Sequence, residues 1–329
     1  MIRWGIIGCG NVTEVKSGPA FNKVADSKLM AVMRRNRALA EDYAHRHNVP
    51  RVYSDANDLI NDNEIDAVYI ATPPGSHMEY ALAAINAGKT AYIEKPMALN
   101  YGECLKINEA ASKRGVPVFV AYYRRALPGF LRVKELVENG AIGKLRMVQL
   151  QLWKAPSDAE KTGDLSWRVD PALSGGGHFF DLASHQLDYL DFMLGPVQKV
   201  KSTVLNQGGL YNAEDFVAAE LLFAGNIVCS GTWCFSGSPE SNRDYIELIG
   251  TAGSIKFSTF SFDPIMLFSA SGLQEFTNER PDHVQYYLIT SIVNELHGRG
   301  RSPSTGFSGA RTSKVMDEVV SEYYGKGGR

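Results

Sequence analysis

Two short stretches of this sequence carry side chains suited to acid–base chemistry. Asp181 and His185 stand four residues apart within His178-Phe179-Phe180-Asp181-Leu182-Ala183-Ser184-His185-Gln186-Leu187-Asp188, a segment of helical pattern. That spacing puts both on one helix face, with Asp188 one turn further on the same side. A carboxylate beside an imidazole can orient the ring and raise its basicity, which suits general acid–base work near neutral pH. The same spacing also serves as half of a metal site or as a surface hydrogen bond. Ser174-Gly175-Gly176-Gly177 precedes the helix and permits close backbone approach there. The second stretch is Glu94-Lys95-Pro96, which ends a strand-like run. A lysine beside a positively charged ring has its pKa lowered from about 10.4 toward a useful range. Otherwise it is a surface lysine paired with a carboxylate.

A third stretch has backbone chemistry. Gly8-Cys9-Gly10-Asn11-Val12-Thr13 directly follows a buried N-terminal strand and opens a helix. Gly8 permits a tight turn, and Gly10 lets the backbone approach a pyrophosphate where unpaired N–H groups favour anions. Gly8, Gly10, Asn11 and Val12 are therefore expected dinucleotide contacts. The third small residue of such a motif is here Thr13, which loosens helix–strand packing. After the second strand an NAD site normally carries Asp or Glu for the ribose 2′-hydroxyl. This chain has Met33-Arg34-Arg35-Asn36-Arg37 instead. Guanidinium groups pair bidentately with phosphate. Arg34 is expected to hold a 2′-phosphate, with Arg35 pairing with it or covering the adenine; the bland alternative is a solvated loop. NADP(H) is thus favoured, with NAD(H) also possible. Ala71-Thr72-Pro73-Pro74-Gly75-Ser76-His77 closes another strand at the edge where parallel sheets bind ligands. Thr72, Pro73, Glu94 and Lys95 are expected at the cofactor. Ser76 is a candidate N-cap with Glu79 three residues on. His77 reads equally as a first-turn helix residue and as a cofactor contact.

The elements that must position these residues fall into two patterns. Strand-like runs at Ile2–Ile7, Leu29–Met33, Ala67–Ile70, Thr90–Ile93 and Val116–Val120 alternate with helix-like Ala38–His47, His77–Ala87 and Tyr101–Arg114. Continuous apolar strands between helices predict an α/β Rossmann fold with a doubly wound parallel sheet over residues 1–121. Residues 122–329 read as an α+β domain with a large open, mainly antiparallel sheet. Its strands are expected at Leu145–Lys154, Val197–Asn206, Glu214–Phe223, Asn226–Phe235, Tyr245–Ile249 and Ser254–Phe257. Helices are expected near Phe130–Glu138, His178–Met193, Val284–His297 and Ala310–Tyr324, and Ala155–Gly163 as a surface loop.

Bulk properties agree with such a chain. The 329 residues are 44% hydrophobic and 21% charged, enough to bury a sizeable core. A net charge of −2 gives no basic field for nucleic acid or membrane surfaces. Cys9, Cys104, Cys229 and Cys234 match no zinc spacing, and no run is long enough for a membrane span. With no signal-peptide pattern at the N-terminus, a reducing cytoplasm is expected.

Taken together the motifs resemble the glucose–fructose oxidoreductase / inositol dehydrogenase family, also called Gfo/Idh/MocA. The resemblance runs from Gly8-Cys9-Gly10 through Thr72-Pro73, Glu94-Lys95-Pro96, Tyr123-Arg124-Arg125, Gly140-Ala141-Ile142-Gly143-Lys144 and Trp167-Arg168. It continues through Gly175-Gly176-Gly177…Asp181…His185 and Gly250-Thr251-Ala252-Gly253-Ser254 to Pro303-Ser304-Thr305-Gly306. It implies reversible oxidation of a secondary hydroxyl on a sugar, inositol or similar polyol, using NAD or NADP. Carried over by position, Lys95, Asp181 and His185 are the catalytic set. Tyr123, Trp167 and Arg168, with Asp181 and His185, line the substrate site. Ser184 stands where the family often has Gly, Ala126 where an aromatic often follows the Arg, and Arg34-Arg35 replaces an acidic end of the second strand. A homodimer or homotetramer built on the open sheet is implied, with no metal. Two other functions share this fold: a redox-neutral glycosidase with tightly held NAD, and a non-catalytic dinucleotide-binding regulator. Arg34 and Arg35 weigh against the first, and the Lys95, Asp181 and His185 set against the second.

Overall fold

The structure, a computed structural model, describes residues 1–325. Six strands form the first sheet: β1 (Ile2–Ile7), β2 (Ser27–Met33), β3 (Arg51–Tyr53), β4 (Ala67–Ile70), β5 (Thr90–Ile93) and β6 (Val118–Val120). All pair in parallel, in the order β3-β2-β1-β4-β5-β6. The order reverses between β1 and β4, which opens a crevice at their carboxyl ends. β4 and β5 are wholly buried, as their unbroken Ala-Val-Tyr-Ile and Thr-Ala-Tyr-Ile runs require. Trp4, Phe21, Tyr69 and Tyr92 form an aromatic block in this core, with Tyr69 stacked on Tyr92 at 4.8 Å.

Eight strands form the second sheet: β7 (Leu145–Trp153), β8 (Lys199–Leu205), β9 (Phe216–Phe223), β10 (Ile227–Cys234), β11 (Arg243–Gly250), β12 (Gly253–Phe257), β13 (Ile265–Ser269) and β14 (Gly272–Phe276). Their order is β14-β13-β12-β11-β7-β10-β9-β8, antiparallel except for the β7–β10 pair. β7 alternates buried Val148, Leu150 and Leu152 with partly exposed neighbours, so the sheet has one covered face. The helix Ser184–Leu194 is pinned to this sheet by polar and aromatic contacts. Trp233 Nε1 donates to Gln186 Oε1 at 2.7 Å, and Gln186 Nε2 donates to Thr259 Oγ1 at 2.9 Å. The Tyr189 ring meets Phe130 and Phe257 edge-on, and its hydroxyl donates to the Phe130 carbonyl.

The chain divides into two compact units, but not at the single boundary expected after residue 121. The first is Met1–Leu127 together with Pro281–Ala310; the second is Pro128–Arg280 and the chain from Arg311. The returning segment covers the open edge at β6. Ser304 Oγ donates to the Val120 carbonyl, Thr305 bridges Phe119, and Asn108 Nδ2 donates to the Gly306 carbonyl. A strand edge left bare would expose unpaired backbone groups. Three strands were not anticipated: β3, only three residues long, and the β13–β14 hairpin. The Ala155–Gly163 loop contains a short helix, Asp158–Lys161, closed by a capping box between Ser157 and Glu160. Among the described residues no helix is long and apolar enough to cross a membrane.

Candidate active site

The glycine turn follows β1 as its sequence requires. Gly8 has φ +88°, and a Cβ there would lie 2.8 Å from Thr72 Cγ2. At Gly10 a Cβ would meet only the Gly8 carbonyl, at 3.8 Å, so the space above it is open to a ligand. Asn11 is exposed and Val12 partly so. These features fit a pyrophosphate at this turn. Thr13, where the motif usually has a smaller residue, is fully buried. The chain accommodates it with a π turn, Thr13–Ser17, in place of a tight α-helical start. The close approach moves to Gly18, where a Cβ would lie 2.1 Å from the Tyr43 hydroxyl. That hydroxyl and the Gly18 N–H both donate to the Thr13 carbonyl. Glu14 then latches this turn to the helix Arg37–His47, pairing with Arg46 at 2.7 and 2.8 Å and with His47 at 2.8 Å. The Arg46 bond, with help from His47, holds the Glu14 carboxyl at about 2.

Beyond β2, Arg34 is half-buried and its Nη1 lies 3.5 Å from the Cys9 carbonyl, so its guanidinium sits against the glycine turn. Arg35 is exposed. Asn36 caps the next helix through Leu39 N–H. No carboxylate stands between Met33 and Asn36 to meet a ribose hydroxyl. Burial pushes the Cys9 thiol up to about 11, so it packs as an apolar group.

Thr72 and Pro73 follow β4 with Pro73 exposed. Ser76 does not cap the following helix; its hydroxyl donates to Thr72 Oγ1 at 2.8 Å and braces the loop. His77 is not placed for direct cofactor contact. It is fully buried, with Nδ1 3.0 Å from the Pro96 carbonyl and Nε2 2.7 Å from the Thr72 carbonyl. The ring therefore ties the loop after β4 to the loop after β5, and burial pushes its pKa down. Glu94 also differs from expectation. Its carboxylate turns into the interior, accepting from Tyr69 Oη, from Gln285 Nε2 at 2.6 Å and from the Lys95 N–H at 3.1 Å. Tyr92 Oη donates to Gln285 Oε1 at 2.7 Å. Lys95 is half-exposed at the strand end, and its bond to Pro96 is cis. Tyr123 is 8% exposed, with the Arg124 guanidinium over its ring at 4.9 Å.

In the second unit Asp181 lies in a π turn, Phe179–Ala183, which passes into the helix Ser184–Leu194 bearing His185. π turns are enriched at functional sites, and this one was not legible beforehand. The glycines before it are needed sterically: a Cβ on Gly176 would lie 2.1 Å from the Phe180 ring, and one on Gly177 2.6 Å from the Glu214 carbonyl. Asp181 Oδ2 faces Arg168 Nε at 3.3 Å, and the Arg168 guanidinium lies over the Trp167 ring at 4.5 Å. Three residues expected at the substrate thus form one contiguous group. His185 is 4% exposed, with the Phe260 ring edge-on at 5.9 Å. Asp244 fixes the Phe260 loop by accepting from the N–H groups of Thr259, Phe260 and Ser261. Gln285, Phe260 and Asp244 had no sequence signal, because each reaches its partner from a distant segment.

Comparison with known proteins agrees with this architecture. Residues 2–122 match the family model described as an oxidoreductase family with an NAD-binding Rossmann fold. Residues 130–256 match the Gfo/Idh/MocA C-terminal domain. Oxidoreductase P35 of Formosa agariphila is 40% identical over 319 residues, covering 96% of this chain and 97% of that one. Levoglucosan dehydrogenase of Pseudarthrobacter phenanthrenivorans is 29% identical over 262 residues, 72% of this chain and 66% of that one. The solved structure of a levoglucosan dehydrogenase in complex with NADH and levoglucosan superposes with a TM-score of 0.87 at 22% identity, over 97% of this chain and 96% of that one. With both domains matched and a relative this similar along nearly its whole length, the chain belongs to the Gfo/Idh/MocA family of NAD-binding oxidoreductases.

Proposed function

We propose that this protein is an NADP(H)-preferring dehydrogenase or reductase acting on a secondary alcohol or ketone of a sugar, inositol or related polyol. The observation that carries the cofactor preference is Arg34, set against the glycine turn where a carboxylate would select NAD. Gly8, Gly10, Asn11, Val12, Arg34, Arg35, Thr72 and Pro73 hold the dinucleotide in this reading. His77 and Glu94 act from behind it, by fixing the loops after β4 and β5.

When bound, the nicotinamide would supply hydride transfer to or from the substrate carbon. Lys95 donates a hydrogen bond to the reacting oxygen and stabilises negative charge that develops there. His185 takes the hydroxyl proton in oxidation and gives it back in reduction. Asp181, steadied by Arg168, orients that imidazole or a neighbouring hydroxyl. Tyr123, Trp167 and Arg168 position the sugar. The levoglucosan dehydrogenase relative supports a sugar-like substrate. A cytoplasmic location belongs to the same reading, and the open face of the second sheet suits a homodimer or homotetramer.

The test is turnover. Purified protein is given NADP⁺ or NAD⁺ with a panel of aldoses, anhydrosugars and inositols, and nicotinamide reduction is followed. Turnover that is faster with NADP⁺ is expected. Absence of turnover with either cofactor, in both directions, contradicts the reading.

A further inference from the structure

The helical segment that carries Asp181 and His185 begins with another imidazole, which the chemistry above does not use. His178 precedes Asp181 by three residues, a spacing that makes helical neighbours. Its Nε2 lies 2.5 Å from Glu160 Oε1, with the His178 side chain 21% exposed and Glu160 8%. Glu160 is itself immobilised. Its other oxygen accepts from both the N–H and the hydroxyl of Ser157, each at 2.7 Å. Burial opposes ionisation of Glu160, but the His178 and Ser157 bonds outweigh it and hold the carboxyl below its ordinary range. An ionised carboxylate is only an acceptor, so the ring carries its proton on Nε2. Nδ1, the other polar atom of the ring, makes no hydrogen bond to any described residue.

The surroundings of the ring match a sugar. Tyr211 meets it edge-on at 5.8 Å and Phe235 lies tilted at 5.3 Å, two aromatic walls of the kind that pack against C–H faces. The Tyr211 hydroxyl is buried and has no hydrogen-bond partner among the described residues. A buried hydroxyl left in that state is unfavourable, and a ligand hydroxyl would supply the missing bond. Tyr211 packs with Val169 and Ala213, which holds its ring and hydroxyl in place beside His178.

We propose that His178 is a specificity-determining residue: Glu160 fixes its ring, and its Nδ1 hydrogen-bonds a substrate hydroxyl other than the one oxidised. Tyr211 supplies a second polar contact to the same part of the substrate. The proposal rests on the sugar- or polyol-oxidising reading above. No electron moves at this site; it reads the substrate and leaves the hydride step to the other residues.

The test compares wild type with His178→Gln, His178→Ala and Tyr211→Phe. It uses the best substrate among D-glucose, levoglucosan and myo-inositol, together with the monodeoxy analogues of that substrate. His178→Gln places an amide nitrogen near the Nε2 position, so it keeps the Glu160 contact and the fold while removing the Nδ1 contact. The expected result is a KM raised about 10- to 100-fold with kcat within about threefold of wild type. One monodeoxy analogue, poor with wild type, should lose nothing further in His178→Gln. Tyr211→Phe should raise KM in the same direction. An unchanged KM in a folded His178→Gln, or unchanged discrimination among the deoxy analogues, overturns this proposal and leaves the proposed activity standing. A fall in kcat with KM unchanged also overturns it. Turnover of no panel member by wild type overturns the activity and the proposal together.

Discussion

The carboxylate of Glu94 and the side-chain amide of Gln285 are 191 residues apart in sequence and 2.6 Å apart in the fold. Both are buried, and the same carboxylate accepts from the N–H of Lys95. The returning segment Pro281–Ala310 therefore completes the floor beneath the lysine. Gln285→Leu removes a donor from Glu94 and an acceptor from Tyr92 at similar volume. A loss of about 1–3 kcal/mol of stability follows from the buried groups left unpaired. Thermal unfolding checks the first effect. Kinetics check the second: kcat should fall while cofactor affinity stays within about threefold, because the glycine turn is untouched. An unchanged kcat would separate the Glu94 cluster from Lys95 function.

The proposed cofactor preference rests on Arg34. Arg34→Asp should weaken NADPH binding about 10- to 100-fold, since a bidentate guanidinium–phosphate contact is replaced by repulsion. NADH binding should hold or improve. Titration by nicotinamide fluorescence measures both. Equal affinities for the two cofactors in wild type would remove the preference.

The Arg168–Asp181 pair is partly exposed, so its contribution to stability is below about 1 kcal/mol. In the proposed chemistry its worth lies in placing Asp181. Arg168→Met keeps an apolar stem on Trp167 while removing the ion pair with Asp181. We expect kcat/KM to fall at least tenfold with little change in melting temperature or cofactor affinity. A large drop in melting temperature would mark the pair as structural.

Glu14 gives a pH-dependent prediction. Its folded pKa of about 2 lies below the ordinary value of 4.5, so its contribution is complete above about pH 4.5. It is lost as pH falls through that window toward 2. Because the latch is partly solvated, its worth is about 1 kcal/mol. Urea unfolding should show Glu14→Gln less stable than wild type at neutral pH, with the difference shrinking as pH falls below 4.5. A difference that stays constant to about pH 3 would show that the Arg46 and His47 bonds do not depend on the charge.

Much of the site was legible because parallel strands put their carboxyl ends along one edge. Reading where β1, β2, β4 and β5 stop was enough to place Gly8, Arg34, Thr72 and Lys95 on that edge. The direction of a side chain was not legible in the same way. The strand sets the backbone of Glu94, but only the fold shows that its carboxylate points inward to Gln285. His77 stands at a helix start by sequence, and its role as a tie between two loops depends on the Pro96 carbonyl. β14 escaped notice because four of its five residues are exposed and show no alternation. The Ser157–Glu160 cap had a recognisable spacing, and there the sequence signal was present but outweighed by the loop's polarity. π turns have no sequence rule, so the wide turns at Thr13 and Asp181 emerged only from the backbone.

The most direct test of the proposed chemistry is turnover and cofactor binding measured side by side in Lys95→Ala and His185→Ala. Removing a general acid–base group or a charge-stabilising donor costs about 10²- to 10⁴-fold in rate. The account predicts that both variants lose turnover by that order while binding NADPH within about threefold of wild type. Full turnover in either variant would remove that residue from the mechanism, and full turnover in both would contradict the account.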